Sequence, residues 1–588
     1  MANIYDKSSL VLIPSGTKTG KVFSQKPVSG DGDFTFTRAS AATRVNADGN
    51  IEKETQNLLL QSNSFETTWG TANSPTLTSG QSGYDGSSDA WLLSKPAASF
   101  VNINQDVSIS GVFTYSVYLK AGTNSTAILR ALGGTDNQFF IDLSNGTSTF
   151  ASATIIDYVI EDVGSGWYRT SISVNDSGSV RFFIYPEAPF GNTTAGTIYI
   201  QDAQLEQGLV ARDYIETTTA AVYGGITDNT PRLDYTDSSC PALLLEPQRT
   251  NILPNSEYFD SWSKANASVI TNVAISPEGV ENAHKVVADA TSNTHAIFIL
   301  PSISASTKYV FSLYVKAAEY ERVYIRQGSG TSSAAVYSLV GAGSVLETYG
   351  SPDDTSIVSV DNGWYKITLT KTTAAQFPNF APNIIGIPNS GYTATSVGAS
   401  FTGDGTSGIY IYGAQLEQGS YATSYIPTYG SSVTRNQDAC IKTSYPDLSS
   451  QQELTLYAEF NYEQSGRVIA IGNGTTNTRF FASYGSDKQM YMYLNIGGTL
   501  AFFLISSNNV VSDGKNKVAV KIKSGESLLY LNGTEVFNNT STFTLSGFQN
   551  VYIGTSEYGS TNDTQKIDSS LIFYNALSNE EAIALTTI

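Results

Sequence analysis

One stretch occurs twice and constrains what this chain can fold into more than any other feature. It runs Ile198-Tyr199-Ile200-Gln201-Asp202-Ala203-Gln204-Leu205-Glu206-Gln207-Gly208, and again Ile409-Tyr410-Ile411-Tyr412-Gly413-Ala414-Gln415-Leu416-Glu417-Gln418-Gly419. A Tyr-Ile pair follows each copy at the same spacing, Tyr214-Ile215 and Tyr425-Ile426. Upstream, three more matches keep the same order. Asn57-Leu58-Leu59 with Phe65 and Trp69 answers to Asn251-Ile252-Leu253 with Phe259 and Trp262. Thr114-Tyr115-Ser116-Val117-Tyr118-Leu119-Lys120-Ala121 answers to Val310-Phe311-Ser312-Leu313-Tyr314-Val315-Lys316-Ala317, and Gly166-Trp167-Tyr168-Arg169 to Gly363-Trp364-Tyr365-Lys366. Matches in series mean an internal duplication, each copy closing on the repeated strand. The spacing between copies widens along the chain, which places insertions in the loops of the second copy.

The strands themselves are legible from alternation. Phe113, Tyr115, Val117 and Leu119 alternate with Thr114, Ser116, Tyr118 and Lys120, the period of a half-buried strand. Tyr309, Phe311, Leu313 and Val315 keep that phase in the second copy, with Ser312, Tyr314 and Lys316 opposite. Further strands are expected at 90–93, 139–143, 168–174, 181–185 and 198–205, the density of a sandwich or jelly roll. Composition agrees: 35 Tyr and 27 Phe sit among many hydroxyl and β-branched residues, with 50 Gly as punctuation. The expected fold is all-β, a tandem of β-sandwich or jelly-roll domains.

Five segments follow in order. Residues 1–56 are too few to bury a core and read as an anchoring or strand-donating segment. Residues 57–217 and 251–431 are the two jelly-roll repeats. The connector, 218–250, contains Leu243-Leu244-Leu245, which needs burial. Residues 432–588 form a third sandwich, with a hairpin turning at Asn532-Gly533 and a short closing helix capped by Ser578, with Glu580 and Glu581 in its first turn.

A net charge of −19 without a basic run argues against nucleic acid and against an anionic membrane surface. No apolar run approaches the ~20 residues of a membrane-spanning helix, and the start does not read as a secretory signal. Cys240 and Cys440 allow one bridge or two reduced thiols, the latter preferred.

Leu12-Ile13-Pro14-Ser15-Gly16 through Lys21-Val22-Phe23-Ser24-Gln25-Lys26-Pro27, Phe36-Thr37-Arg38-Ala39-Ser40-Ala41-Ala42-Thr43-Arg44-Val45, the connector's Leu244-Leu245-Glu246-Pro247-Gln248-Arg249-Thr250-Asn251-Ile252-Leu253, and both Ala-Gln-Leu-Glu-Gln-Gly motifs are runs of a distinctive kind. Together they resemble appendage and fibre proteins of tailed bacteriophages. Each repeat also resembles a carbohydrate-binding jelly roll. The C-terminal part is similar to laminin-G or concanavalin-like sandwiches through Leu529-Tyr530-Leu531-Asn532-Gly533 and Ile572-Phe573-Tyr574-Asn575-Ala576-Leu577-Ser578. The resemblance implies a virion protein made without export, a fibre or spike contacting other virion proteins through its N-terminal segment and host-surface polysaccharide through its sandwiches. It also implies a homo-oligomer, a trimer by analogy, although no heptads mark a coiled coil. In such jelly rolls an Asp on the last strand often helps hold a structural calcium, which points to Asp202, with Gly413 in its place in the second copy.

For glycan binding, aromatic rings beside charged side chains are the candidates, because sugars stack on rings while charges bond their hydroxyls. These are Tyr118 with Lys120, Trp167 with Arg169, Tyr314 with Lys316, and Trp364 with Lys366; packing would account for the same rings. The turns at Asp31, Asp85 and Asp404 read as ordinary turns before calcium loops. Glu206 and Glu417 read as structural groups at strand ends. His284 and His295 lack a nucleophile motif, and no catalytic residue is assigned. Adhesion to host glycans is the expected function. A purely structural head or tail decoration protein is the alternative, and a polysaccharide-degrading enzyme the third.

Overall fold

The computed structural model describes residues 4–327, 333–373, 383–387, 400–556 and 564–588. It is all-β, with one short α-helix among the described residues, Asn579–Thr586, whose Ser578 accepts from Glu581 N–H while Glu581 caps in return. No described helix is long and apolar enough to cross a membrane.

In the first repeat two long strands, Asn102–Ala121 and Trp167–Tyr185, pair from Ile103↔Ile184 to Lys120↔Trp167 and carry one continuous sheet. The segments 168–174 and 181–185, expected as separate strands, are therefore one. The second repeat has a shorter counterpart, Lys308–Ala317, and splits into two six-stranded sheets. In both repeats the repeated motif, Gly196–Gln207 and Gly408–Gln418, pairs with that central strand. Gly111, at φ +102°, marks where the repeats meet: a Cβ there would sit 1.4 Å from the Tyr429 carbonyl oxygen.

The third sandwich draws on the whole chain. Leu10–Leu12 pairs with Gln565–Phe573, and Phe34–Thr37 with Ala439–Lys442. The connector strand Ala242–Leu245 also joins Gln565–Phe573. Leu10, Leu12, Val22, Phe34, Phe36, Leu243 and Leu245 are all buried in one core with residues of the last 150 positions or so. The first segment thus donates strands within its own chain, because the alternating Phe34 and Phe36 find their burial in the distant C-terminal sheet. The Asn532-Gly533 turn joins Ser527–Leu531 to Thr534–Asn539 as expected. Both thiols are free; Cys440 is buried in the core and Cys240 exposed.

The junction is held by buried charge. Arg38 meets Asp438 at 3.1 Å, Arg232 bonds both Asp438 and Glu246, and Arg435 reaches Glu246 at 2.7 Å. All five side chains are at most 2% exposed. Burial alone would raise the Glu246 carboxyl, but Arg435 and Arg232 hold it far below the usual range. A second cluster, Lys53 with Glu257 at 2.8 Å and Glu278 at 2.5 Å, ties the first segment to the second repeat. Arg212 of the first repeat bonds Glu278 as well. The distinctive runs around Arg38 and Glu246 therefore serve, with Arg435, to lock modules together.

Candidate functional site

The repeated motif is a piece of structural carpentry. In both copies it bulges against the central strand, two residues opposing one, with Asp202 at φ 51° and Gly413 at φ 60° in the left-handed position. Asp and Gly interchange there because both tolerate that backbone. Asn57 spans the first bulge: its Nδ2 donates to the carbonyls of Ala203 and Ile215, and its Oδ1 accepts from Leu59 and Leu205 N–H. Asn251 repeats all four bonds with Ala414, Ile426, Leu253 and Leu416. Glu206 accepts from Arg212 N–H, and Glu417 from Thr423 N–H and Oγ1. These are the structural roles expected of the two glutamates.

The eight candidate sugar contacts lie together in their repeats, and their rings are covered. Trp167 and Trp364 are at most 1% exposed, Tyr118 and Tyr314 both 8%. Tyr118 stacks on Tyr84 at 3.7 Å with Arg169 at 5.5 Å, while Lys120 lies 6.0 Å from the Trp167 ring. Lys366 lies 5.9 Å from the Tyr314 ring and donates to Thr423 O; Trp364 Nε1 donates to Ile275 O. Lys316, half-buried, stands opposite Trp364 in the strand pair. The strand phase expected to face solvent is instead roofed by loops such as 82–89, so Tyr118, Trp167 and Trp364 pack inside the protein, and Tyr314 is reached only along the wall of a narrow crevice.

Asp202 is buried, accepts from Tyr84 Oη at 3.0 Å, and has its carboxyl pushed up to about 7 by burial and by Asp89 and Asp85 nearby, despite the Tyr84 bond. The neighbouring acids are bridged by Gln201, whose Nε2 reaches Asp89 Oδ1 at 2.8 Å. Among the described residues no three His, Cys, Asp or Glu side chains converge as a metal site. The carboxyl oxygens of Asp202, Asp85 and Asp89 are engaged by the Tyr84 hydroxyl and the Gln201 amide. A carboxyl whose folded pKa is raised binds its proton more tightly when folded, so its contribution is lost as pH rises from about 4 through 7. Asp202→Asn is expected to raise the thermal midpoint above pH 7 and to change it little near pH 4, measured by calorimetry across that range.

The histidines are packing residues. His284, its pKa lowered to about 4 by burial, lies edge-on to Phe259 at 5.5 Å, and the ring nitrogens of His295 face the carbonyls of Asn266 and Phe401.

An open aromatic surface lies elsewhere, on the outer face of the third sandwich. The strands Arg479–Tyr484, Met490–Ile496 and Thr499–Ile505 send Phe480, Met490, Met492, Leu494 and Phe502 into the core. The opposite phase presents Phe481, Tyr491, Tyr493 and Phe503, with Phe503 48% exposed. Phe481 and Tyr493 stack at 5.0 Å and Tyr491 and Phe503 at 6.4 Å across strands. Arg467 caps the row 3.9 Å from the Phe481 centroid, and Arg479 lies 4.8 Å from that of Tyr493. Burial would raise the Tyr493 hydroxyl, but the Arg479 and Asn495 bonds bring it below its usual value. Beside the row is a hollow of about 400 Å³ whose lining includes Ser465, Gly466, Arg467, Ser483, Tyr491 and Phe503. That volume falls within the ~300–1,000 Å³ of ligand clefts. The strand Met490-Tyr491-Met492-Tyr493-Leu494 carried the missed signal, its apolar phase filled by Met and Leu and its solvent phase by tyrosine.

No curated protein matches the sequence. Among solved structures, the chain is similar to the CBM40 module of a Ruminococcus gnavus IT-sialidase, at 18% identity over 24% of this chain and 86% of that one, TM-score 0.22. It is similar to the CBM22 tandem of Paenibacillus barcinonensis Xyn10C, at 10% identity over 62% and 97%, TM-score 0.21. It also resembles mouse laminin alpha1 LG4-5, at 11% identity over 50% and 92%, TM-score 0.18. At these scores the likenesses carry no weight for what the chain binds. Residues 435–583 match the family model of the concanavalin A-like lectin/glucanases superfamily, in its laminin-G form. The sandwich bearing the open aromatic face is thus similar to concanavalin A-like, laminin-G-type domains.

Proposed function

We propose that the chain is a glycan-binding adhesin without enzymatic activity, and that its site is the hollow beside Phe481, Tyr491, Tyr493 and Phe503. The observation that carries this reading is the outward-facing aromatic row, Phe503 exposed and its neighbours half-buried, beside a hollow lined by arginine, serine and glycine on a sandwich similar to lectin-type domains. Rings stack on the apolar faces of sugars, and guanidinium and hydroxyl groups bond their edges. We place it on a tailed phage as a fibre or spike, on the strength of the resemblance around Arg38, Glu246 and the two repeated motifs. The multiple copies of a fibre would turn individually weak sites into stable attachment.

The test is saturable binding of the purified chain to host cells, competed by their soluble polysaccharide. Tyr491→Ala with Phe503→Ala is expected to weaken binding about thirtyfold or more, the effect of removing aromatic anchors worth about 2 kcal/mol. Unchanged binding by the folded variant would remove the site from this face. Particle incorporation without any cell binding would favour a structural decoration protein instead.

A further inference from the structure

The two repeats differ at one place where a side chain in the first has no counterpart in the second. The strand pairs Trp91↔Ile200 and His284↔Ile411 align them, and Gly86 and Gly279, at φ 85° and 82°, fall at the same distance before Trp91 and His284. By that alignment Tyr84 corresponds to Pro277, as Tyr118 does to Tyr314. In the first repeat the Tyr84 ring lies flat on Tyr118, 3.7 Å away and within 2° of parallel. In the second, Tyr314 has tilted or edge-on neighbours, Tyr412 at 6.1 Å and Tyr425 at 6.4 Å, and no parallel ring among the described residues.

The space is not closed by other means. The hairpin formed by Arg44–Val45 and Ile51–Glu52 docks here, Ile51 N–H donating to Pro277 O at 2.8 Å, and it leaves a crevice of about 150 Å³. Tyr314, Pro277, Ile51 and Val360 line its apolar side, and Asn50 and Asp361 stand at its polar side. A cavity of about 150 Å³ accommodates one six-membered ring, as benzene fills an engineered cavity of that size. The polar groups distinguish a sugar, which needs partners for its hydroxyls, from an apolar ring.

We infer that this crevice is a second binding site, taking a single pyranose ring that stacks where Tyr84 stacks in the first repeat. Its position is independent of the C-terminal face, while the choice of a sugar rests on the glycan-binding reading. The first repeat carries its own ring in place; the second leaves that position for a ligand. A terminal residue of a glycan chain fits, since the crevice holds one ring and opens toward the exposed Asp361.

The experiment uses the full chain carrying Tyr491→Ala and Phe503→Ala, so that the C-terminal face does not contribute. Methyl β-galactopyranoside and methyl β-glucopyranoside are the probes, followed by saturation-transfer NMR and calorimetric titration. Binding of at least one glycoside is expected. Pro277→Tyr, which restores the ring of the first repeat, is expected to weaken it about tenfold or more, and Pro277→Ala to preserve it. Asp361→Ala, at the exposed mouth, is expected to weaken it severalfold and serves if Pro277→Tyr does not fold. No transfer to either glycoside, equal binding by folded Pro277→Tyr, or binding of benzyl alcohol in place of both glycosides would overturn the inference. Because the background lacks the C-terminal rings, failure here leaves the polysaccharide reading of that face standing, and failure there leaves this site standing.

Discussion

Replacing Asp438 by alanine is expected to destabilise the third sandwich by about 3–5 kcal/mol, the usual cost of breaking a buried ion pair from one side. The carboxylate takes Arg38 at 3.1 Å and Arg232 through its other oxygen, and also accepts from Glu246 N–H at 2.8 Å. Its loss leaves Arg232 and Arg435 with Glu246 alone and takes from Arg38 its carboxylate partner, all three arginines at 0% side-chain exposure. The measurement is the denaturant midpoint of the sandwich's unfolding transition. Because Arg38, Arg232 and Asp438 come from three widely separated segments, the same variant should loosen the first segment and connector together. A change below about 0.5 kcal/mol, the range of an ordinary surface substitution, would mean that the network is not holding the junction. The network also sets an acid limit. Glu246 has a folded pKa far below its usual 4.5, so its contribution is complete above that value and is lost as pH falls beneath it.

Asn251→Ala is the second large effect. Its side chain makes four hydrogen bonds at 0% exposure, two donated and two accepted, across the bulge that shapes the repeated motif. Alanine leaves two carbonyls and two N–H groups without their buried partner, for a cost of about 3 kcal/mol. Asn57→Ala should cost the same in the first repeat, since its bonds are the same. Matched losses in two separately resolved transitions would establish that the duplication is one of mechanism of closure and not of sequence alone. A negligible loss at either position would contradict that.

The duplication was readable because its markers do structural work that side-chain identity determines: an amide for four bonds, a glycine or aspartate for a left-handed bulge, a glutamate for a strand end. The Ser578 cap and the Asn532-Gly533 turn were readable for a similar reason, being local. The pairing of Phe34–Thr37 with Ala439–Lys442 was not, because a strand's sequence carries its period but not its partner. Tyr118 and Tyr314 were correctly placed on the second phase of their strands and wrongly given to solvent. Alternation separates two faces, and what covers each is decided by loops such as the one carrying Tyr84. The open face at Phe503 was hidden for the opposite reason, since an aromatic-rich strand reads as buried until its Met and Leu phase is recognised as the core side.

The most direct measurement of the central claim is amide hydrogen exchange on the full chain, with and without soluble host polysaccharide at saturation. Protection concentrated on the strands Gly466–Gly472, Arg479–Tyr484, Met490–Ile496 and Thr499–Ile505 is the predicted result. Binding with no protection on those strands would contradict the assignment of the glycan site to this face.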